Sequence, residues 1–446
     1  MIIVKIAESL LRKIMQHLVI IGNGISGVTT ARHVRKHSNM KITIISAESD
    51  FFYSRTALMY IYMGHMKFEH TKPYEDWFWQ KNKINLIRGF VTEVNTSQKY
   101  LKIQNGNEIK FDILVIATGS KSNKFGWKGQ DLPGVQGLYS LQDLKLMEAN
   151  TKNISRAVIV GGGLIGIEMA EMLLSRNIPI TFLVREKFFW DIVLPHEEAK
   201  MISRHIAEHG IDLRLSTELK EIEAGSDGNV CRILTNKNEL IDCQFVGLTV
   251  GVHPNIEFLK NSEISINKGV LVNDYLETNI PNVYAVGDCA EIITPEENQS
   301  NRIEQLWYTG KMQAETLAKT ICGIRTMYDR GIWYNSAKFL DIEYQTYGFV
   351  NNTLRDGEDS FYWEHEDGKY CLRIVYQKDS RAVTGFNVFG IRLRQKICIK
   401  WIREEQSIEF VIQHLRKAMF DPEFFRKFES RIVQTFNNLN SRKMAV

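Results

Sequence analysis

The run Leu18-Val19-Ile20-Ile21-Gly22-Asn23-Gly24-Ile25-Ser26-Gly27 sets four apolar residues against glycines at the G-x-G-x-x-G spacing. The apolar residues predict a buried strand, and Val28 to Lys36 behind them predicts a helix. A strand that turns sharply into a helix aims unpaired backbone N–H groups at one spot, with the positive end of the helix dipole behind them. Gly22 permits the turn, Gly24 lets a pyrophosphate approach the backbone, and Gly27 lets helix and strand pack closely. Three glycines alone are a weak pattern. Glu48 strengthens it, standing about 20 residues beyond Gly27 and just after a second apolar run, Ile42-Thr43-Ile44-Ile45. A carboxylate at that place can accept the ribose hydroxyls of an adenosine.

The same plan then restarts. Short strands are predicted over Ile84–Val91, Lys99–Ile103 and Glu108–Asp112, the last two joined by Asn105-Gly106, and the segment closes with an apolar strand ending in Ala117-Thr118-Gly119. Ala157-Val158-Ile159-Val160 begins a second copy, with glycines at 161, 163 and 166 and a helix beyond them. A strand over Ile180–Val184, a helix from about His196 to Glu208, further short strands and Gly247-Leu248-Thr249-Val250-Gly251 complete it. The span from first to closing glycine is 97 residues in the first copy and 90 in the second, which marks an internal duplication of a nucleotide-binding domain. The expected fold class is α/β, with two Rossmann-like domains and a smaller α+β C-terminal part. Two dinucleotide sites in one chain imply an enzyme that brings two reactive rings together, rather than a simple binding module.

At 446 residues the chain has room for two or three domains, and its 44% hydrophobic and 24% charged composition is that of a soluble globular protein. No apolar run is long enough for a transmembrane helix, and Met1–Lys13, which contains Glu8 and lacks a small-residue cleavage site, does not read as a signal peptide. Residues 1–14, ahead of Met15, are read as a dispensable extension. A net charge of +4 is too weak to argue for nucleic acid. That charge is uneven: from Ile391 onward there are 12 Lys/Arg against 6 Asp/Glu. Such a tail is either a solvated helical surface or a docking face for an acidic partner or anionic lipid. Six cysteines, all in the second half and at least 12 residues apart, exclude a C-x-x-C pair and zinc-ribbon spacing. The 11 histidines are scattered singly and are read as core or surface residues, so no metal site is legible.

With Val283-Tyr284-Ala285-Val286-Gly287-Asp288 added, four separated motifs stand in order, and residues 15–325 resemble the pyridine nucleotide–disulfide reductase superfamily of two-dinucleotide flavoproteins. The resemblance implies a glutathione-reductase-like architecture that binds FAD and NAD(P)H. Its domains would be FAD-binding over 15–153 and 281–330, NAD(P)H-binding over 154–280, and a C-terminal interface domain over 331–446. It places FAD at Gly22, Gly24, Ser26, Gly27, Glu48, Val91, Ala117, Thr118, Gly119 and Asp288. It places NAD(P)H at Gly161, Gly163, Leu164, Ile165, Gly166, Arg185, Glu186 and Gly251. Phe52-Tyr53-Ser54-Arg55-Thr56-Ala57-Leu58 is similar to a run in ferredoxin and rubredoxin reductases, apoptosis-inducing factor and the flavin part of nitrite reductase, which gives Arg55 a phosphate or adenine contact. Arg302-Ile303-Glu304-Gln305-Leu306-Trp307-Tyr308 is similar to the segment that passes the flavin ring, with Trp307 beside it.

Departures from the family narrow the chemistry. No cysteine precedes Cys231, so thiol-based disulfide or peroxide reduction is not expected. Tyr60 stands where the ferredoxin-reductase-like members usually carry a lysine, opposite the glutamate that Glu168 matches, so Tyr60 and Glu168 are the candidate flavin-proximal catalytic pair. Arg185 and Glu186 stand side by side where an arginine suits a 2′-phosphate and an acid suits a 2′-hydroxyl; NADH is favoured.

Beyond the match, Asn335–Val350 and Tyr370–Val383 alternate like antiparallel strands, Gly385–Gly390 reads as a turn-rich return, and Arg403–Asn437 reads as helical, with a new helix beginning at Pro422. In relatives such a domain pairs two subunits, which implies a homodimer. Its basic amphipathic end is also similar to the membrane-surface anchor of type II NADH dehydrogenases, although packing or dimer contact is preferred. The expectation is a cytoplasmic FAD-dependent NAD(P)H oxidoreductase that hands electrons to a small iron–sulfur protein of the ferredoxin or rubredoxin kind. The rivals are a type II NADH:quinone oxidoreductase at a membrane surface and a non-enzymatic regulatory flavoprotein resembling apoptosis-inducing factor.

Overall fold

The computed structural model describes residues 16–294, 300–420 and 426–444. The expected extension over 1–14 and the helix start at Pro422 lie outside the described residues. The chain forms two compact units. One holds the chain up to Asn123 with 137–149 and 251–330; the other holds 124–136, 150–250 and the chain from Gly331 onward.

In the first unit His17–Ile21 is the middle strand of a five-stranded parallel sheet, ordered Val283–Ala285, Ile113–Ile116, His17–Ile21, Lys41–Ser46, Ile84–Arg88. Leu18 sits opposite both Ile42 and Ile113. Such strands are covered on both faces, which is why they read as unbroken apolar runs rather than alternating ones; all four residues of Ile113–Ile116 are buried. The second unit repeats the order: Asp212–Leu215, Ile180–Val184, Ala157–Val160, Phe245–Leu248, Val135–Gln136, again all parallel. Each copy also inserts a three-stranded antiparallel meander before its closing strand, over Val91–Lys110 in the first and Leu219–Asp242 in the second.

Each parallel sheet takes its fifth strand from outside its own copy. Val283–Ala285 follows the second copy, and Val135–Gln136 precedes it. Residues 251–280, which the sequence assigns to the NAD(P)H domain, cluster with the first unit instead. Backbone pairing explains this: Val252–Pro254 runs antiparallel to Ser120–Ser122, and Val270–Val272 lies parallel to Ala290–Ile292.

The C-terminal part is a five-stranded antiparallel sheet, ordered Tyr334–Phe339, Ile342–Gly348, Val383–Phe389, Cys371–Gln377, Glu358–Glu364. The expected return at Gly385–Gly390 is in fact its middle strand. Phe386, Val388 and Phe389 are all fully buried, so the alternation that marks a half-exposed strand is missing. Within the stretch expected to be helical, Arg403–Asn437, the described helices are Ile408–Gln413, Leu415–Ala418 and the start of Glu429–Met444, and a separate helix, Gln395–Arg403, precedes them. Glu405 adopts φ +51°, and the Ser407 hydroxyl accepts from Phe410 N at 3.2 Å to cap Ile408–Gln413.

Arg373 of this sheet reaches the helix His196–Glu208. Its Nε and one terminal nitrogen donate to the Glu198 carboxylate at 2.7 and 2.9 Å, and the same terminal nitrogen meets Glu197 at 2.6 Å. Glu198 is fully buried, and that burial pushes its carboxyl up against the pull of the guanidinium. Arg373→Met strands the acid, and we expect it to cost about 3–5 kcal/mol in urea unfolding at neutral pH. The loss should shrink in acid, where Glu198 takes a proton, and Arg373→Met/Glu198→Leu should recover most of it. A neutral-pH loss no larger than a surface substitution would show that the pair carries little.

Candidate functional site

The two glycine turns are built alike. Gly22 and Gly161 adopt φ +112° and +113°, and a side chain on either would run into a carbonyl of the adjacent closing segment, Ala117 or Thr249. These positions need glycine for the fold. Gly24 and Gly163 differ: φ is −71° and −120°, with ψ near 180° at both. A Cβ on either would meet no heavy atom within 4 Å. Open space there, ahead of helices Ile25–His37 and Leu164–Leu174 that have neither a side-chain cap nor an acid in their first turns, suits an anion. Each turn leaves open space in which an anion can reach the backbone.

In the first unit three of the expected residues, Glu48, Arg55 and Asp288, belong to one hydrogen-bonded chain. Arg55 donates to the Glu48 carboxylate at 2.8 and 2.6 Å, the Tyr53 hydroxyl donates to the same Oε1, and Leu141 N reaches it at 3.0 Å. Arg55 also donates to the Tyr139 carbonyl at 2.5 Å and lies 4.4 Å over that ring. The Tyr139 hydroxyl donates to Asp288 Oδ2 at 3.1 Å and accepts from Ser120 N at 2.9 Å, while Ser120 Oγ meets Asp288 Oδ2 at 3.1 Å. The Glu48–Arg55 pair, Ser120 and Asp288 are thus joined through Tyr139. The guanidinium draws the Glu48 carboxyl below its ordinary value although burial opposes it. Burial pushes Asp288 up.

A ribose and a polyol still fit. Glu48 Oε2 takes one bond, from Arg55, and Asp288 Oδ1 takes no side-chain hydrogen bond among the described residues. One oxygen of each carboxylate can therefore accept a hydroxyl.

Other expected residues stand elsewhere. Ser26 is buried against Gly287 and Gly310, where it spaces two helices, and Val91 is a core residue with 4% exposure. Trp307 begins the helix Trp307–Ile321, is 39% exposed, and has Lys311 Nζ 5.7 Å from its ring. Gly251, expected at the second nucleotide, belongs to the first unit, where its carbonyl accepts from Asn123 N. Tyr60 lies in the first unit with its ring stacked on His65, and Glu168 lies in the second. Thr118 donates to the Asn255 carbonyl, and in the second unit Thr249 closes the glycine turn by donating to Val160 O and Gly161 O. Tyr139 and Ser120 were missed by motif reasoning, because a lone tyrosine in a connector and a serine after a glycine carry no spacing signal.

Leu164 and Ile165 open the second-turn helix, whose Glu168 follows on its next turn. Glu168 is exposed on its helix, yet the protein packed around it, together with the Glu171 carboxylate, pushes its carboxyl up to about 7. The folded protein therefore holds a proton there that the unfolded chain releases at lower pH. Glu168 favours the fold in acid, and that contribution fades as pH rises through about 7. Solvent at the exposed edge screens part of the effect. Glu168→Gln is expected to flatten the fall of the melting temperature between pH 5 and 8; a profile parallel to wild type would refute the raised carboxyl.

Arg185 Nε and a terminal nitrogen donate to Glu186 Oε1 at 3.1 and 2.8 Å, just beyond the strand Ile180–Val184. Arg185 is turned to solvent, and Glu186 is more covered.

None of the six cysteines is disulfide-bonded. Cys289, next to Asp288, is fully buried and donates toward the Ile116 and Val286 carbonyls, and burial pushes its thiol up. Burial likewise pushes Cys243 up to about 12. Neither supplies a thiolate near neutral pH.

Comparison with known proteins agrees with this fold. A family model described as pyridine nucleotide-disulphide oxidoreductase matches residues 16–314. The chain is 29% identical over 375 residues to a ferredoxin–NAD(P)(+) reductase of Sphingomonas sp, covering 82% of this chain and 88% of that one. It is 28% identical over 399 residues to a nitrite reductase [NAD(P)H] of Bacillus subtilis (strain 168), covering 88% of this chain but 48% of the relative, so it spans about half that protein's length. Its fold matches the crystal structure of NADH:rubredoxin oxidoreductase from Clostridium acetobutylicum with a TM-score of 0.69 at 23% identity, over 90% of this chain and all of the other. Among the described residues no helix is long and apolar enough to cross a membrane.

Proposed function

The chain belongs to the pyridine nucleotide-disulphide oxidoreductase family, whose members use FAD and NAD(P)H, and from that premise we propose that it passes electrons from NAD(P)H through FAD to a small iron–sulfur protein. The observation that carries this reading is the pair of open glycine turns at Gly24 and Gly163, in a chain with no cysteine before residue 231. FAD supplies the hydride-accepting and electron-releasing chemistry when bound. The chain's own residues hold and orient: the first turn takes the pyrophosphate, Glu48 the ribose, Asp288 the polyol chain, and Arg55 the phosphate or adenine. Glu186 accepts the 2′-hydroxyl of NADH, with Arg185 neutralising it from the solvent side. Tyr60 and Glu168 are the candidate catalytic residues, and residues 331–446 pair two subunits.

Stopped-flow mixing of the holoenzyme with NADH and with NADPH tests the proposal. Bleaching of the flavin by NADH ahead of NADPH, and steady reduction of an added ferredoxin or rubredoxin, are expected. Failure of both nucleotides to bleach it would overturn the enzymatic reading in favour of a regulatory flavoprotein. Turnover with quinone and lipid, without iron–sulfur reduction, would assign the protein to a membrane surface instead.

A further inference from the structure

Helix His196–Glu208 carries His205 at its last turn and His209 just beyond it, four residues apart and hence on one face. The hairpin joining Tyr334–Phe339 to Ile342–Gly348 sets Asp341 against them. One ligand atom from each of the three lies within 4.8 Å of the other two. We propose that His205, His209 and Asp341 form a binding site for a divalent transition-metal ion of the zinc class, which clamps this helix to the C-terminal sheet.

The hydrogen bonds around the two imidazoles carry the inference. His209 Nδ1 lies 2.9 Å from the His205 carbonyl, which can only accept, so Nδ1 carries the hydrogen and Nε2 presents a lone pair in the neutral ring. That Nε2 faces Asp341 Oδ1 at 3.4 Å. Two lone pairs repel one another, so a cation shared between them, a proton or a metal ion, is what this facing pair suits. For metal–ligand bonds of about 2.0–2.2 Å, tetrahedral ligands stand about 3.3–3.5 Å apart. The His209–Asp341 separation already has that value, whereas His205 Nε2, at 2.5 Å from the same oxygen, has to move back by roughly 1 Å to admit the ion.

His205 has the complementary fault. Its Nε2 is 2.5 Å from Asp341 Oδ1, so the hydrogen sits on Nε2. Its Nδ1 is then a buried acceptor with no hydrogen-bond partner, on a side chain 1% exposed. An unmet buried acceptor of this kind is costly. A metal on Nε2 shifts the hydrogen to Nδ1, where Glu208 Oε2 waits at 3.9 Å on a side chain free enough to close the gap. The result is the carboxylate–histidine–metal relay that orients metal-bound imidazoles. Lys369 Nζ holds the other Asp341 oxygen at 2.9 Å and so leaves Oδ1 turned to the histidines. Asp341 and Glu208 together outweigh that single positive charge. Two nitrogens, one oxygen and a fourth place for water suit zinc, cobalt or nickel rather than calcium or magnesium.

The site was hidden in the sequence because Asp341 lies more than 130 residues from either histidine. It is independent of the nucleotide sites and of the proposed reaction.

The test is titration of the tag-free, chelator-treated full chain with Co²⁺ alone, read by visible ligand-field absorption and by the melting temperature. One equivalent should bind with tetrahedral-type bands and raise the melting temperature. His209→Ala and Asp341→Asn should each weaken binding by at least about tenfold, with metal-free melting temperatures close to wild type. If either variant is poorly folded, His209→Gln and Asp341→Ala replace it. The proposal is overturned if the wild type develops no bands, which would mean His209 is simply a protonated partner of Asp341. It is equally overturned if the folded variants bind Co²⁺ as the wild type does.

Discussion

Gly24→Val is expected to yield a folded protein without flavin. At this residue φ is −71° and ψ −175°, an extended conformation that valine adopts readily, and the added Cβ meets no protein atom within 4 Å. The position precedes the helix, so replacing glycine loses only a weak capping preference and no side-chain cap. What the new methyl groups fill is the space from which a pyrophosphate would reach the backbone N–H groups. Losing that approach should weaken FAD binding by roughly 1,000-fold, or about 4 kcal/mol. The measurements are visible absorbance of the purified protein and its circular dichroism. Gly22→Val is the contrasting variant: at φ +112°, and against the Ala117 carbonyl, it should damage the fold itself. A yellow, fully loaded Gly24→Val protein would refute the assignment of this turn.

Both glycine turns and the strands that carry them were legible in the sequence, because the geometry there is dictated by backbone conformation. Positive φ demands glycine, and parallel strands covered on both faces read as apolar runs. Strand Ile180–Val184 and helix His196–Glu208 have the expected bounds for the same reason: one is wholly buried and apolar but for Thr181, and the other has a buried stripe. Where burial is two-sided but the residues are mixed, the pattern fails. Gly385 and Asn387 made the middle strand Val383–Phe389 look like a turn, and only its neighbours on either side make it a strand. The side-chain network was less visible still. Glu48, Arg55 and Asp288 could be named one by one, but Tyr139 joins them through long-range contacts that no local spacing encodes. The facing of His205 and His209 by Asp341 is of the same kind.

The duplication is therefore more than a repeat of motifs. Each copy reproduces the strand order, the meander and the open cradle, yet the surrounding acids differ. In the first, Glu48 is drawn into an ion pair with Arg55 and linked to Asp288 through Tyr139. In the second, Glu186 pairs with a neighbouring arginine at the protein surface. An acid fixed by several donors in one network suits a resident cofactor, and an acid held by a single neighbour suits a nucleotide that must leave after each turnover.

That difference makes Gly163→Val the sharper experiment. Its backbone is extended, with φ −120° and ψ −176°, and its cradle is as open as that of Gly24. The variant should fold, remain yellow and be reduced by dithionite, because nothing in the first unit changes. NADH should bleach it poorly: blocking the pyrophosphate approach should lower the rate at limiting NADH by roughly 100-fold, or about 3 kcal/mol. Saturating NADH should restore part of the rate if the loss lies in binding alone. The two valine variants together assign the turns, since each should abolish one nucleotide and spare the other. A Gly163→Val protein that loses FAD but, once reconstituted, still responds to NADH would reverse the assignment. One that bleaches at the wild-type rate would remove the second turn from the reaction.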